Sequence, residues 1–404
     1  MWISEFINDF VIGYPVFVSL IWIIACFFNE INRSATSRTV NHDRPLVSIL
    51  IPAYNEHDTI RGAVESVAQL KYWPFEVILI DDKSADDTLA IMHQLKRKYQ
   101  NQFPIRIIPV PKNSGKANAL NQGLKVARGK YIMGIDSDSI VDPDALSRMV
   151  RKLNQSPKIG AVAGKPVVRN RTTILGRLQL LEYIGVIDII KKAEALLTGK
   201  INTVSGVIVG FRKAALKSVH GWNPNVMTED IDITWRMYRH HWQVKYCPSV
   251  VCWILVPEKL GDLFRQRKRW ARGGMEVLVN NYRLLFHGEA SEKFLLLETI
   301  VSNLWAILTA LSTVTYVLSL LVAQDLQLDG DVLLILLIIS FVQFTMGFVA
   351  SHRIAFLQWR DLWLVPVYIL YYWMINLVSC IAAIISFILD PQHVGTWTSP
   401  DRGV

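Results

Sequence analysis

The pattern of apolar and polar positions changes character along the chain. Residues 11–28, from Val11 to Phe28, carry no charged side chain. As a helix they reach about 27 Å, enough to cross a hydrocarbon core. Glu5 and Asp9 precede the run and Arg33, Arg38 and Arg44 follow it. A cleaved signal peptide has a basic leading region instead. The run therefore predicts an uncleaved anchor, with the region after it on the cytoplasmic side by the positive-inside bias. From Pro45 the period shortens. Val47 to Ile51 is a short apolar strand ending at Pro52. Ile60, Val64, Val67 and Leu70 then recur at helical spacing, with Asp58 or Thr59 as cap. Val77 to Ile80 predicts a second strand, ending at Asp81-Asp82. The next helix turns Leu89, Met92 and Leu95 inward and carries Asp86 and Asp87 in its first turn. Ile105 to Val110 is a third strand, Ala117 to Ala127 a helix closed by Gly129, and Tyr131 to Ile135 a fourth strand. Strands alternating with helices predict an α/β domain, a mostly parallel sheet with helices on both faces.

Beyond residue 159 the pattern is less regular, with one clear helix through Trp235. Leu260 to Val279 mixes Leu, Phe and Trp with arginines. It suits a helix lying in a membrane interface, or a solvated basic helix. Apolar runs return at 294–323, 332–350 and 362–389, each long enough to span. The break at 324–331 is acidic and that at 351–361 basic, so the second faces the cytoplasm. Pro366 leaves a kinked or re-entrant third run open. Four spans place the tail Trp397 to Gly403 outside. The expected organisation is an anchor at 1–30, a cytoplasmic catalytic region at 45–258, interfacial helices at 259–293, a spanning region at 294–390 and a tail at 391–404.

Composition sharpens this picture. The chain is 51% hydrophobic, with 13 Trp, yet its middle is charged. That excludes a plain soluble enzyme and a pure membrane bundle. The net charge of +9 collects largely beside the apolar runs, where it matches an anionic leaflet. No zinc-finger spacing or RNA-binding aromatic motif supports a nucleic-acid partner. The four cysteines, Cys26, Cys247, Cys252 and Cys380, form no disulfide framework. Cys247 and Cys252 read as packed thiols in a strand.

In parallel sheets ligands sit beyond the carboxyl ends of the strands. Tyr54-Asn55-Glu56, Asp81-Asp82 and Asp136-Ser137-Asp138 all fall there. Two carboxylates at i and i+2 of an extended segment point the same way and repel unless a cation lies between them. A hard divalent ion that also holds diphosphate oxygens satisfies them; a solvated turn is the alternative. Asp82 could accept from a nucleobase N–H or cap a helix. Lys116 follows Gly115 at a helix start, an anion site by charge and free N–H groups, though the spacing is not a Walker A loop. Glu229 or Asp230 in Thr228-Glu229-Asp230 could serve as general base, or the motif could be a helix N-cap. Arg269 could stabilise a leaving diphosphate, and Trp270 could stack on a sugar face.

Taken in order, Asp82, Asp136-Ser137-Asp138, Thr228-Glu229-Asp230 and Gln266-Arg267-Lys268-Arg269-Trp270 resemble the processive family 2 glycosyltransferases, over nearly the whole chain. Thr203 to Val207, Met227 to Ile233, Cys252 to Glu258, Asn113 to Asn121 and the terminal Ser399 to Gly403 are similar to the poly-β-1,6-N-acetylglucosamine synthases of bacterial biofilms. The resemblance implies a GT-A fold and a multi-pass protein of the bacterial plasma membrane. It implies UDP-GlcNAc as donor, a growing polysaccharide as acceptor and Mg²⁺ or Mn²⁺ as cofactor. It implies that Ala53, Tyr54, Asn55, Glu56, Asp82 and Lys116 bind the nucleotide end. Asp136 and Asp138 would hold nucleotide and metal, Asp230 would act as base with Glu229 beside it, and Gln266, Arg269 and Trp270 would hold diphosphate and sugar. It further implies export through the spans and a small membrane accessory subunit. Other β-glycan synthases (chitin, hyaluronan, β-glucan), a lipid-linked sugar transferase and a binder without turnover stay open. The chain departs from the pattern at Lys83, where the family has Gly, which puts the turn geometry in question. It departs again at Arg272, where the family has Gln, which adds charge beside the implied polymer channel.

Overall fold

The computed structural model describes residues 2–33, 43–323 and 330–390. In chain order its elements begin α1 (Trp2–Arg33), β1 (Val47–Ala53), α2 (Ile60–Val67), β2 (Phe75–Asp81), α3 (Thr88–Tyr99) and β3 (Ile105–Pro109). Next come α4 (Lys116–Val126), β4 (Tyr131–Ile135), β5 (Ile140–Val141), α5 (Ala145–Asn154) and β6 (Ile159–Val168). Then follow α6 (Ile174–Glu182), a π turn (Tyr183–Ile187), α7 (Asp188–Thr198), β7 (Ile208–Arg212), α8 (Lys213–Ser218), α9 (Glu229–Arg239) and β8 (Gln243–Ile254). The last are α10 (Leu260–Asn281), α11 (Leu284–His287), α12 (Ala290–Ala323), α13 (Gly330–Ala355), a 3-10 turn (Trp359–Leu364) and α14 (Val365–Leu389).

These elements form two units. The first holds residues 43–176 and 199–262. Its sheet has eight strands in the order β3-β2-β1-β4-β7-β6-β8-β5. β1, β2, β3 and β4 run parallel; β7 is antiparallel to β4 and β6; β6 and β8 are parallel; β5 is antiparallel to β8. The four expected strands are present. β1, β2 and β4 are buried along their whole length, as unbroken apolar runs in a parallel sheet should be. β3 is the half-exposed edge and ends on Pro109, where a missing N–H is harmless. The stretch read as less regular supplies β6, β7 and β8. Within β6 the Gly160, Gly164, Lys165 and Pro166 positions interrupt the apolar run although all ten residues are buried.

Local expectations are corrected in four places. Asp86 and Asp87 precede α3 instead of lying in its first turn, with Asp87 at the N-cap. Thr59 stands at the N-cap of α2 but makes no capping bond; its hydroxyl donates to Glu56 Oε2 at 2.6 Å. Leu70 lies beyond that helix. Gly129 does not close α4, which ends at Val126; its N–H donates to Ser48 Oγ at 2.8 Å.

The second unit holds residues 2–33, 177–198, 263–323 and 330–390. Four of its helical stretches are long and apolar enough to cross a membrane: Phe6–Phe28, Ala290–Tyr316, Leu334–His352 and Trp359–Leu389. Trp305 Nε1 donates to Val11 O at 2.9 Å, tying α12 to α1. Pro366 sits in the first turn of α14, where no helix bond needs its N–H, and the helix runs on to Leu389. Residues 177–198, read from sequence as part of the 45–258 region, group with these apolar helices. The π turn between α6 and α7 meets α13 closely. A Cβ on Gly185 would lie 2.2 Å from Phe344, and one on Gly347 would lie 2.5 Å from Ile184 O. Gln343 Nε2 donates to Gly185 O at 2.7 Å in the same seam. The tail at 391–404 and most of the 324–331 break lie outside the described residues.

Candidate active site

The parallel strands of the first unit deliver three acidic or polar turns to one edge of the sheet. β1 leads into Tyr54-Asn55-Glu56. Asn55 takes φ +53°, a left-handed conformation that asparagine tolerates better than most residues. Its Oδ1 accepts from Ala85 N at 2.8 Å and its N–H donates to Ser84 Oγ at 3.0 Å. Glu56 is buried, with its N–H on Thr88 Oγ1 at 2.8 Å and its carboxylate on Thr59. The Asn55 side chain and the backbone N–H groups of Asn55 and Glu56 hold this loop against the turn after β2 and the start of α3.

Asp82 follows β2 and is fully buried. Its carboxylate accepts from Ser114 N at 3.1 Å and Gly115 N at 2.9 Å, folding the entry to α4 onto it. Burial pushes this carboxyl up, against the pull of the two N–H groups. Gly115 takes φ +85°, which a side chain would resist. The next residue in the β2 turn, Lys83, takes φ +66° without that freedom. The departure noted in the sequence thus falls on a left-handed position.

Lys116 opens α4 and reaches across to β4. Its Nζ lies 2.5 Å from Asp136 Oδ1, 3.5 Å from Glu229 Oε1 and 3.1 Å from Gly206 O. Burial disfavours the ammonium, but Asp136 and Glu229 outweigh it and hold Lys116 above the ordinary lysine range. Burial and the nearby Asp138 carboxylate raise Asp136, so its charge depends on a cation beside it. Asp138 is buried, with Ser139 Oγ donating to Oδ1 at 3.3 Å.

Glu229 and Asp230 come from the first turn of α9. Thr228 is at its N-cap position but makes no side-chain cap bond. Asp230 Oδ2 accepts from Gly206 N at 3.2 Å. Val204 N donates to Thr234 Oγ1 at 2.9 Å, and Thr234 Oγ1 donates to Asp230 O at 2.7 Å. The segment Thr203 to Gly206 is therefore laced to α9. Pro52, Lys116, Asp136, Gly206, Glu229 and Asp230 line one cavity.

Gln266, Arg269 and Trp270 lie on α10 in the second unit. Arg269 is exposed, and Gln266 and Trp270 are half-buried. Arg272, two residues on, projects onto no open surface. It is 1% exposed, and its guanidinium donates to Ser386 O at 3.1 Å, Ser386 Oγ at 2.8 Å and Asp390 O at 2.5 Å.

Two contributors, Gly206 and Arg169, were not singled out from the sequence. Gly206 supplies the N–H on Asp230; its motif was noted but not its backbone. Arg169 follows β6, which is parallel to β4 through two antiparallel steps and so ends at the same edge. Its Nη2 lies 3.5 Å from Asp138 O, and burial lowers the guanidinium while Asp138 raises it. Cys252 on β8 is buried close enough that burial, with Asp136 and Asp138, pushes its thiol well up. A strand-end rule applied past residue 159 would have found Arg169.

Asp136 and Asp138 fit a particular kind of metal site. Among the described residues no group of three or more His, Cys, Asp or Glu side chains can enclose an ion. Two carboxylates with a need for positive charge suit an ion whose remaining ligands are substrate phosphates.

A mostly parallel sheet with this acidic carboxyl edge is the architecture of GT-A glycosyltransferases. The fold is similar to a mannosyltransferase of Pyrobaculum calidifontis, solved in complex with GDP-Man and Mn²⁺, with TM-score 0.58 and 16% identity over 95% of this chain and 99% of that one. Residues 44–273 match the family model described as glycosyltransferase like family 2. The chain belongs to that family. It is 34% identical to a poly-β-1,6-N-acetyl-D-glucosamine synthase of Staphylococcus epidermidis over 98% of each chain. A synthase of the same name from Staphylococcus aureus is 36% identical over 99% of each.

Proposed function

We propose that this chain is a membrane-embedded, inverting, processive hexosyltransferase that polymerises N-acetylglucosamine from UDP-GlcNAc into poly-β-1,6-N-acetylglucosamine. The observation that carries the reading is the meeting of Lys116, Asp136, Glu229 and Asp230 around Gly206, at the ligand edge of the sheet. The product follows from two synthases of that name matching end to end.

In this reading Asp230 is the general base. It takes the proton of the acceptor 6-hydroxyl as that oxygen attacks the anomeric carbon on the face opposite UDP. The carbon–oxygen bond to the diphosphate breaks, its electron pair leaves with UDP, and the α-linked donor becomes a β-linkage. One base contributes about 10²–10⁴-fold, and holding both sugars in line contributes further. The N–H of Gly206 holds the Asp230 carboxylate in place. Lys116 and Glu229 set the charge around the donor. Asp136 and Asp138 would hold Mg²⁺ or Mn²⁺, which when bound neutralises the diphosphate. Ala53 to Glu56 and Asp82 serve the uridine end, with Asn55, Glu56 and Asp82 fixing the loops that receive it. Gln266 and Arg269 hold the diphosphate, and Trp270 lies under the terminal sugar of the acceptor.

The placement that suits this chemistry is the bacterial plasma membrane. The first unit faces the cytoplasm, where nucleotide sugars are made, the polymer leaves through the spans, and a small membrane subunit assists. The test is to give purified membranes labelled UDP-GlcNAc, follow UDP release and determine the linkage of the product. A 1,6-linked N-acetylglucosamine polymer is expected. A 1,4 linkage would overturn the product, and absence of UDP release would overturn the reaction.

A further inference from the structure

The turn of α10 that carries Gln266, Arg269 and Trp270 also carries a buried charge that the proposed chemistry leaves unused. Arg267 is 6% exposed. Its Nη2 donates to Glu182 Oε2 at 2.9 Å, and Glu182 is equally buried. Three residues along the same helix face, the Trp270 ring centroid lies 4.2 Å from the guanidinium carbon of Arg267. Glu182 is the last residue of α6, directly before the π turn that packs against α13. The carboxylate therefore rests on backbone held by a close seam, the guanidinium on the carboxylate, and the indole on the guanidinium.

A buried ion pair is a poor device for stability alone, since apolar residues of the same volume often do as well. A planar guanidinium held at a fixed distance over an indole does fix the plane of the ring. It also covers one face and leaves the other to meet the apolar side of a sugar.

We propose that Glu182 and Arg267 are positioning residues for Trp270, setting the plane in which its ring meets the terminal sugar of the acceptor. The proposal rests on the reading of Trp270 as the floor under that sugar. It adds that the orientation of this floor is set by a buried pair that touches no substrate itself.

The test uses the full chain in membranes, with UDP-GlcNAc, reading both UDP release and polymer formed. Arg267→Lys keeps the charge and loses the stack. It is expected to lower polymer length and sugar transferred per UDP released by about tenfold, with the KM for UDP-GlcNAc moved by less than about twofold. Trp270→Ala should strike the same readouts, and the two changes together should be no worse than Trp270→Ala alone. The charge-reversed pair Glu182→Arg with Arg267→Glu should restore protein levels in the membrane without restoring polymer length. Unchanged coupling in Arg267→Lys, or additive losses with Trp270→Ala, would overturn the proposal. Full synthesis by Trp270→Ala would instead overturn the reading on which it rests. Glu182→Gln should lower polymer length and coupling as Arg267→Lys does; should it fail to accumulate, Arg267→Lys carries the test alone.

Discussion

Lys116 and Asp136, one from the start of a helix and the other from the end of a strand, meet with Nζ 2.5 Å from Oδ1. Each stabilises a charge the other needs inside a buried site. Lys116→Gln is therefore expected to lower the rate of UDP release by about 10²-fold, the scale for loss of one preorganised charge. Lys116→Arg should recover only part, because a planar fork cannot occupy a point-charge site. Initial rates at matched membrane expression check this.

Asp230 and Asp232 lie two residues apart on α9 but have different work. Asp230 faces Gly206 N, while Asp232 is buried and its Oδ2 accepts from Arg236 Nε at 2.6 Å. Asp230→Asn should lower turnover by about 10²–10⁴-fold with KM for donor little changed. Asp232→Asn should lower melting temperature and leave turnover within about threefold. Steady-state kinetics beside thermal melts separate the two.

Lys83 holds a left-handed backbone conformation at φ +66°. Relieving it by Lys83→Gly is expected to raise stability by about 0.5–1 kcal/mol, the left-handed strain exceeding the extra entropy of glycine. Lys83→Ala should give no gain, since its Cβ meets the same clash. Thermal melts of the detergent-solubilised chain compare the three.

Glu76 on β2 ties β1, β2, β3 and the turn before β4 together. It accepts from Ser48 Oγ at 2.6 Å and Arg128 N at 2.7 Å, and it pairs with Arg106. Burial opposes its charge, but these partners outweigh it and hold the carboxyl below its usual range. A depressed folded pKa gives stability that is present above the unfolded carboxylate value, about 4.3. That stability is lost as pH falls through the lower folded value. Glu76→Gln should therefore melt below the parent at pH 7, and the gap should close as pH falls below about 4. Melting temperatures across pH 3–7, read from far-ultraviolet circular dichroism, test it.

Arg272 donates to the carbonyls of Ser386 and Asp390 and to the Ser386 hydroxyl, tying α10 to the end of α14. Arg272→Ala is expected to cost about 2 kcal/mol, seen as a lower melting temperature in detergent. Arg272→Gln should lose less, since an amide can still donate to one of the two carbonyls.

What could be read ahead of the structure follows physical lines. β1, β2 and β4 are buried on both faces, so their strands appear as unbroken apolar runs and the acids at their ends mark the ligand edge. β6 is just as buried, but Lys165, Pro166 and two glycines hide it, and Arg169 was hidden with it. Residues 177–198 misled for a related reason. Asp188 and Lys192 are each 2% exposed and satisfy one another at 3.0 Å, whereas a periodicity argument counts charges as solvent-facing. The bond from Gly206 N to Asp230 joins residues far apart in the chain through backbone, and no side-chain pattern announces it.

The fit of Gly185 against Phe344, and of Gly347 against Ile184, leaves no gap into which either helix could slide. Interfaces this tight shift by whole steps or not at all. The π turn between α6 and α7 is thereby keyed to α13, so a push delivered to that turn is passed to a helix long and apolar enough to cross a bilayer.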